Sequence, residues 1–375
     1  MKKVLSIVFN DMRHDSRVMK EATTLGEAGF AVTVAALEGD DLPATEDKES
    51  YSIQRVPLWS RRFKHIMILR PLIYLEFLAR TLLRFPNPDF LHIHSIEPLP
   101  LGVMLKARSA GRASLIYDAH EYESEKNGLR GWMKWSIKTL EWMCMPFVDG
   151  FITVSERILK DYRDKYKVAR YTLVHNCPPP RPSKRTTSLR QELGLQQDDI
   201  LFIYQGGLTY GRGLEVLIKA FSQPTPGRHL IVMGYGVLAD MVEQAADQSQ
   251  YLHYKSAVPP EVLLEYTASA DVGIALIEPI CLSYEYCLPN KLFEYAMAGL
   301  PVIVSPLPEM KEKVERYSIG KVLPDHSAES LRKVVEEWSS DSYESFVDNL
   351  KEFSEKYNWD VESARMLALY RSIST

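Results

Sequence analysis

Short apolar runs alternate with amphipathic stretches along most of the chain. Val4–Phe9 and Ala31–Leu37 are apolar runs typical of buried strands, and Ser16–Gly29 between them repeats its apolar residues at helical spacing. The same pattern predicts further strands in the first half of the chain at residues 89–94, 115–118, 150–154 and 171–174. Strands that alternate with helices in this way predict an α/β fold with a parallel sheet covered on both faces.

A proline-rich segment, Asn176–Arg185, interrupts this alternation. Its prolines exclude a helix or a central strand and predict a stiff, extended connector. Beyond it the pattern resumes, with strands predicted at 201–205, 229–233, 272–276 and 302–305 and helices at 213–221, 261–268 and 291–298. We therefore predict two doubly wound Rossmann-like domains, residues 1–177 and 178–358, which face each other across a cleft and are joined by a hinge at Pro178–Pro182.

The last stretch of the chain, Trp359–Ile373, has its apolar residues on one helical face. A helix here could close the second domain or cross back to the first. Periodicity fits both arrangements equally well.

Composition places the protein among ordinary soluble proteins. Of 375 residues, 46% are hydrophobic and 25% charged, and the net charge of −4 does not favour nucleic acid as a partner. Four scattered cysteines lack the spacing of a metal site and indicate reduced thiols in a cytoplasmic protein. Charged residues such as Glu76 and Arg80 interrupt the most apolar region, so we expect no transmembrane helix.

A glycine-rich turn, Gln205–Leu214, joins a predicted strand to a predicted helix. Gly206 and Gly207 would let the backbone approach a ligand, and the helix N-terminus and Arg212 would favour an anion, for which we expect a diphosphate. The turn is neither a Walker loop nor a dinucleotide fingerprint, and such turns also occur without ligands. Gly234, after the next strand, fits a ligand contact or a simple tight turn.

A helix that begins near Lys291 and stops before Gly299-Leu300-Pro301 carries a single carboxylate, Glu294. Near the carboxyl ends of parallel strands, Glu294 could hold sugar hydroxyls. A solvated carboxylate near the helix N-terminus is the plainer explanation. Lys291 could be a second phosphate cation or a solvated lysine.

Three histidines of the first domain follow or occupy predicted strands. His120, at a strand end, can carry or share a proton, or can be a structural histidine bonded to Glu121 or Glu123. His92 and His94 point to the same side of their strand and are spaced like a metal pair. Because no carboxylate or cysteine partner is evident nearby in the sequence, we expect core histidines and no metal site.

The loop after the first strand is polar and of mixed charge. Asp11, Arg13, His14 and Arg17 could face a substrate, and Asp15 or Ser16 could cap the first helix.

Two segments of the first domain, Trp59–Phe85 and Trp132–Met145, combine aromatic, aliphatic and basic residues. Basic amphipathic helices of this kind can lie on an anionic membrane surface. Ordinary helices packed on the sheet explain the same composition.

Taken in order, these motifs resemble the retaining glycosyltransferases of family 4, which have the GT-B fold. The resemblance spans essentially the whole chain and is most specific at Leu292–Val302, with support from Asp118–Glu121, Ile152–Glu156 and Ala270–Leu276. It implies that the last helix, about 359–375, crosses back to the first domain.

The resemblance also implies residue roles in binding a nucleotide-sugar donor. Glu294 matches the second glutamate of a pair and would bind the ribose, and Arg212 matches the basic residue that neutralises the diphosphate. The segment Asn290–Leu292 matches the part of the family's chain that contacts the phosphates and the sugar of the donor. His120 matches a histidine that reaches the donor sugar, and Val258 lies in the segment that reads the base.

Two positions depart from the family pattern. Tyr286 stands where the first glutamate of the pair is expected, and Gly207 stands where an arginine is frequent, so that Lys291 would have to compensate. The first departure bears on the identity of the sugar, and the second removes one of the two cations that the family presents to the phosphates.

The implied activity is retaining transfer of a sugar from a nucleoside diphosphate sugar, with UDP as the nucleotide favoured by the family. The acceptor would be a glycan, a lipid-linked molecule or a small molecule, in surface polysaccharide or glycoconjugate synthesis, with His120, Arg212 and Lys291 as catalytic groups and no metal or other cofactor. Peripheral contact with the inner face of the membrane would involve the first domain. The alternatives are a GT-B sugar-nucleotide epimerase and a degenerate, non-catalytic subunit of a polysaccharide assembly complex.

Overall fold

The computed structural model describes residues 1–63, 65–66, 69–181, 184–223, 225–339 and 343–374. The chain divides into two compact units, which comprise Met1–Val174 with Ser363–Thr375 (unit 1) and His175–Glu362 (unit 2). The chain first passes from unit 1 to unit 2 between Val174 and His175, three residues before the predicted boundary at 177/178. Pro182 and Ser183 of the predicted connector, Met67 and Ile68 of the first aromatic segment, and Thr375 lie outside the described residues.

Unit 1 is built on an eight-stranded sheet. Its strands are β1 (Lys3–Ile7), β2 (Ala31–Leu37), β3 (Thr45–Asp47), β4 (Tyr51–Val56), β5 (Phe90–His94), β6 (Ser114–Ala119), β7 (Gly150–Thr153) and β8 (Tyr171–Leu173). They lie in the order β3-β4-β2-β1-β5-β6-β7-β8, and every pair is parallel except β3 with β4. All five residues of β5 are buried, as expected for a strand covered on both faces.

The helices that precede unit 2 are α1 (Ser16–Glu27), α2 (Arg70–Arg84), α3 (Leu99–Arg108), α4 (Gly131–Cys144) and α5 (Glu156–Tyr166). Helix α1 begins where predicted, because the Asp15 carboxylate accepts a hydrogen bond from the Val18 amide at 3.2 Å. It ends two residues before the predicted Gly29, which has a φ of +90°.

Unit 2 contains six parallel strands, β9 (Ile200–Gly207), β10 (Arg228–Tyr235), β11 (Leu252–Ser256), β12 (Val272–Ala275), β13 (Val302–Val304) and β14 (Gly320–Val322). Their order is β11-β10-β9-β12-β13-β14. The helices are α6 (Ser188–Glu192), α7 (Leu214–Phe221), α8 (Ala239–Asp247), α9 (Pro260–Thr267), α10 (Leu282–Glu285), α11 (Asn290–Met297), α12 (Pro308–Tyr317), α13 (Ala328–Glu336), α14 (Val347–Lys356) and α15 (Trp359–Ile373). Helix α15 begins in unit 2 and ends in unit 1.

Both sheets are doubly wound and therefore have a switch point. In unit 1 the chain runs outward from β1 through β2 on one side and through β5 on the other; in unit 2 the corresponding central strand is β9, between β10 and β12. Ligands of open α/β sheets bind at the carboxyl ends of the strands beside such a point. The ends of β1, β5, β9 and β12 are therefore where functional groups are expected.

The β3–β4 hairpin was not predicted from the sequence. Strand β4 carries Arg55, whose buried guanidinium donates to the carbonyl oxygens of Asp11 and Pro43 and to the Glu46 carboxylate. Arg55 breaks the apolar alternation of β4, and its hydrogen-bond partners offset the cost of burying its charge. In the part of the chain that the structure describes, no helix has both the length and the apolar character needed to cross a membrane.

Candidate functional site

The glycine-rich turn follows β9 at the switch point of unit 2. Gly206 has a φ of +121°, and a Cβ atom added there would lie 3.7 Å from Cε of Lys291. Gly213, with a φ of +71°, precedes α7, and its missing side chain leaves room for Leu276. The turn thus brings backbone, Lys291 and the start of a helix together, as an anion site requires.

Lys291 is a buried ammonium group. Its side chain belongs to the first turn of α11, the residue is 7% exposed, and Nζ lies 3.5 Å from the centroid of the Tyr204 ring. Among the described residues, Nζ has no hydrogen-bond partner. Burial, and next the charge of Arg212, hold the pKa of Lys291 well below its usual range. The expectation of a solvated lysine is therefore wrong.

Arg212 supplies the second cation of this site. Its guanidinium lies 4.5 Å from the ring centroid of Tyr284, on α10, in a cation–π contact. Sequence reasoning missed Tyr284, because a tyrosine on a four-residue helix carries no local signal of this role.

Glu294 lies one turn beyond Lys291 on α11. Gln205 donates a hydrogen bond from Nε2 to Glu294 Oε2 at 2.6 Å, and Gln205 Oε1 accepts one from Thr267 at 2.7 Å. The carboxylate is thus half-buried and oriented, in contrast to the freely solvated group that the plainer explanation expected. Gln205 was not predicted as a site residue, because the sequence does not show that this polar residue before the glycines is buried.

The other residues that we predicted to bind the nucleotide-sugar donor differ in the exposure of their side chains. Asn290 is exposed at the start of α11, whereas the Leu292 side chain is fully buried in the core, which leaves only its backbone for a ligand. Val258 is half-buried between β11 and α9 and packs on the same core. Gly207 has open space where a side chain would be.

Gly234 has a packing role in the structure. A Cβ atom there would collide with the carbonyl oxygen of Gly206 on the neighbouring strand β9. The requirement for glycine at this position follows from the close approach of the two strands.

A small polar cavity of about 150 Å³ lies at the switch point of unit 1, at the ends of β1 and β5. Its lining includes Asn10, Asp15, His94, Glu97 and His120. The cavity is therefore formed by part of the predicted polar loop together with the predicted strand-end histidine.

His120 contacts groups other than those expected. Its Nε2 atom lies 3.2 Å from Oδ2 of Asp118 and 3.1 Å from Nδ1 of His94. The predicted structural alternative, a bond to Glu121 or Glu123, is replaced by this contact with Asp118. The side chain remains 23% exposed and lines the cavity.

Arg17 requires a correction. We expected it to face a substrate, yet its side chain is 4% exposed and its guanidinium makes two hydrogen bonds of 2.8 Å to the carboxylate of Asp118 and one to the carbonyl of Val174. The turn of α1 that carries it points into unit 1. A bidentate pair with a buried carboxylate explains why this cation lies in the interior.

The cavity lining does not include the other loop residues that we expected to face a substrate, Asp11, Arg13 and His14. Arg13 donates to the carbonyl of Asp40 at 2.6 Å and lies 3.9 Å from the Asp11 carboxylate, and His14 is exposed. Asp15 caps α1 and also lines the cavity. The loop thus contributes Asn10 and Asp15 to the cavity.

His92 and His94 do have carboxylate neighbours. Donor atoms of Glu21, His92, His94 and Asp118 all lie within 4.8 Å of one another, a set that could hold a metal ion. Arg17, however, already places a cation between the two carboxylates, 3.1 Å from Glu21. Burial, and next the charge of Asp118, raise the pKa of Glu21, which favours its neutral form beside the Arg17–Asp118 pair.

Two family profiles match the chain in succession. The profile described as Glycosyltransferase Family 4 matches residues 16–178, and the one described as Glycosyl transferases group 1 matches residues 185–357. The chain belongs to glycosyltransferase family 4. The match begins at the first helix of unit 1 and extends to the helix before α15.

One curated relative of this family 4 chain is described as an uncharacterized glycosyltransferase of Methanocaldococcus jannaschii. The two are 27% identical over 197 residues, which is 49% of this chain and 48% of the relative. The chain therefore spans about half the length of the curated relative that it matches.

Several solved structures share the fold. Sucrose-phosphate synthase from Thermosynechococcus elongatus has a TM-score of 0.75 at 16% identity, over 100% of this chain and 99% of that one. Anabaena HepE in complex with UDP and glucose has 0.74 at 14% identity, over 99% and 100%. WaaG, a glycosyltransferase involved in lipopolysaccharide biosynthesis, has 0.69 at 18% identity, over 98% of each chain. At these identities the similarity shows the GT-B fold alone.

One departure of this family 4 chain from the family pattern has a defined place in the structure. Tyr286 immediately follows α10, is half-buried, and so lies on the segment between Tyr284 and α11. A tyrosine in this position offers a hydroxyl where the pattern has a carboxylate.

Proposed function

We propose that the protein transfers a sugar from a nucleoside diphosphate sugar, with UDP as the nucleotide, and retains the anomeric configuration. The observation that carries the proposal is the buried Lys291 amine, which lies beside Arg212 and the glycine-rich turn and has no hydrogen-bond partner among the described residues. A diphosphate supplies two negative groups of the right size for two cations. The solved structure of Anabaena HepE contains UDP and glucose, which supports UDP as the first donor nucleotide to test.

Different residues of unit 2 would bind different parts of the nucleotide-sugar donor. Glu294, oriented by Gln205, is placed to accept hydrogen bonds from the ribose hydroxyls. Arg212, Lys291 and the amide groups at the starts of α7 and α11 would stabilise the diphosphate as it leaves. Because these fixed positive groups meet the charge that develops, we propose that transfer proceeds without a metal ion or other cofactor.

His120, in the cavity of unit 1, is assigned to the sugar end of the reaction. An imidazole with one nitrogen held by Asp118 has the other available for a sugar hydroxyl. Asn10 and Asp15, which line the same cavity, would assist in hydroxyl recognition. This assignment keeps His120 as the catalytic candidate of unit 1.

We propose a glycan or lipid-linked acceptor, used in surface polysaccharide or glycoconjugate synthesis at the cytoplasmic face of a membrane. On α4, Trp132 and Trp135 are 76% and 68% exposed, and Trp142 is exposed on a later turn. Lys134 and Lys138 of the same helix are paired with the Glu125 carboxylate. The available part of this surface is therefore aromatic, which suits the interfacial region of a membrane.

Calorimetric titration with UDP tests the donor site, and mass spectrometry of reactions with a panel of nucleotide sugars and crude glycolipid acceptors tests transfer. We expect UDP to bind, and a glycosylated product to form from one UDP-sugar only when acceptor is present. Product formation without acceptor would favour an epimerase, and donor binding with no product would favour a non-catalytic subunit, the alternative that Tyr286 suggests. Absence of binding by every nucleotide tested would contradict the proposal.

A further inference from the structure

Two histidines that line the cavity of unit 1, His94 and His120, contact a buried carboxylate, Asp118, near the end of β6. Asp118 is fully buried, and its Oδ1 atom accepts from Nη2 of Arg17 while Oδ2 accepts from Nε, each at 2.8 Å. Oδ2 also lies 3.2 Å from Nε2 of His120 and 3.4 Å from Nδ1 of His94. One carboxylate thus connects an interior cation to the histidine that reaches the cavity.

Arg17 holds this carboxylate in one orientation. Two parallel N–H···O bonds fix the plane of the carboxylate, a geometry that a lysine cannot supply. The guanidinium is itself held from two further sides, by the carbonyl of Val174 at 2.8 Å and by the Glu21 carboxylate at 3.1 Å. Rotation of Asp118 would therefore break several buried charge-assisted contacts at once, each of which is costly to leave unmade.

A fixed carboxylate determines which nitrogen of His120 carries the proton. An ionised carboxylate can only accept hydrogen bonds, so the Nε2 atom that faces it is the one that bears hydrogen in the neutral ring. The nitrogen left without hydrogen is Nδ1, on a side chain that lines the cavity. His94, whose Nε2 is 2.8 Å from the Ser6 hydroxyl, packs beside the ring and limits its rotation.

We propose that Asp118 and Arg17 are positioning residues that hold His120 in the tautomer with hydrogen on Nε2 and present Nδ1 as a hydrogen-bond acceptor for a sugar hydroxyl in the cavity. The inference rests on the proposed function only in the identity of the ligand. Arg17, which sequence reasoning assigned to substrate, acts in this proposal through Asp118 and His120 and touches no substrate itself.

Nitrogen-15 NMR of histidine-labelled full-length protein tests the positioning directly. We expect the His120 signal, identified by its loss in His120→Ala, to show the Nε2–H tautomer in the unaltered protein and a mixture of tautomers in Asp118→Ala. The same mixture, at a smaller fraction, is expected in Arg17→Lys, which keeps the charge and loses the fork. An unchanged tautomer in both variants would overturn the proposal.

Kinetics of sugar transfer separates positioning from a merely structural role. Asp118→Asn should lower kcat at least tenfold and leave KM for the donor within about twofold, and Arg17→Lys should recover part of the kcat lost in Arg17→Met. Tyr370→Phe is the matched control, because it removes a 2.9 Å contact to Nδ1 of His92 on the far side of the same cluster. Its kcat should match that of the unaltered protein.

Thermal unfolding of each variant guards against misfolding. If Asp118→Asn does not fold, the Arg17→Lys and Arg17→Met pair carries the test, and equal kcat in these two variants and the unaltered protein would overturn the proposal. Failure of the underlying function is distinguishable: the unaltered protein would then transfer no sugar, whereas the NMR result on the tautomer would stand unaffected.

Discussion

Replacement of Lys291 by methionine should make the ligand-free protein more stable and its nucleotide binding weaker. Methionine has a similar length and fills the space beside the Tyr204 ring without a charge. The change therefore removes a buried amine that has no hydrogen-bond partner among the described residues, while it preserves the packing of α11. The substitution should therefore change the stability of the free protein and its affinity for the nucleotide in opposite directions.

The expected magnitudes follow from the burial of Lys291. Burial of the lysine amine costs several kcal/mol, either as a charge removed from water or as the loss of its proton, and the cation–π contact of the charged form with Tyr204 offsets about 1 to 2 kcal/mol of this. We expect a net gain of about 2 kcal/mol in the free energy of unfolding, or about 4 to 8 °C for a domain of this size. Loss of one charge-assisted contact to the diphosphate should weaken UDP binding by about 1.5 to 3 kcal/mol, which is roughly 10- to 150-fold.

Isothermal titration calorimetry in two buffers of different ionisation enthalpy measures the binding part of this prediction. In the free protein burial lowers the pKa of Lys291, and an arriving diphosphate raises it again. UDP binding should therefore take up protons at pH values between the free and bound pKa, and affinity should fall as the pH rises through that window. In Lys291→Met this proton uptake should disappear.

Lys311→Met is the control, since Lys311 is a surface residue of α12 that is paired with Glu315. It should change neither the stability nor the affinity by more than about 0.5 kcal/mol. The reasoning is refuted if Lys291→Met destabilises the free protein and binds UDP as tightly as the unaltered protein does.

Three further predictions concern other side chains. Glu294→Gln should weaken UDP binding by roughly tenfold or more in calorimetry, whereas the affinity for inorganic pyrophosphate, which has no ribose, should not change; an equal loss for both ligands would contradict the ribose role. Burial raises the pKa of Glu123 from 4.5 to about 7, so its contribution to stability is fully present below about pH 4.5 and is lost as the pH rises through about 7, which corresponds to at most about 3 kcal/mol. Urea unfolding of Glu123→Gln should lack this part of the decline, and parallel curves for the two proteins would refute it. Replacement of Trp132 and Trp135 by serine should abolish co-sedimentation with vesicles of anionic phospholipid, while the same change at Val237, an exposed apolar residue of unit 2, should not, and equal binding by both variants would exclude α4 as the contact.

The order of elements could be predicted because the signals that define it are local. Val302–Val304 is an apolar run that follows a glycine and a proline, and α15 has the predicted bounds Trp359–Ile373 because its periodicity is continuous. The β3–β4 hairpin was missed because Arg55 interrupts the apolar side of β4. The partners that make a buried arginine acceptable lie on other segments, which a single window of sequence does not contain.

The candidate site shows the same difference between residues with local sequence signals and residues whose partners lie far away in the sequence. Glu294, Lys291 and Arg212 could be found from their motifs, but Gln205, which orients Glu294 from 89 residues away along the chain, could not. Arg17 was assigned to substrate because its partner Asp118 lies 101 residues further on. A charged residue in a polar loop has the same appearance in sequence whether it points to solvent or into an ion pair, and only the fold decides between them.

The first and last residues of unit 2 are bonded to each other. The amide of His175 donates to the Glu362 carboxylate at 2.9 Å, and Nδ1 of the same histidine lies 3.0 Å from its other oxygen. Unit 2 is therefore an insertion with adjoining ends within the sequence of unit 1. Closing a loop of roughly 190 residues would cost about 4 to 5 kcal/mol of chain entropy.

A folded unit 2 has already closed that loop, so the end of α15 reaches unit 1 almost as a local segment. Its Tyr370, which bonds His92, then completes the core of unit 1 at little further entropic cost. The stability of unit 1 therefore depends on unit 2 being folded. A destabilising substitution deep in unit 2 should loosen the packing around His92 without altering a single residue near it.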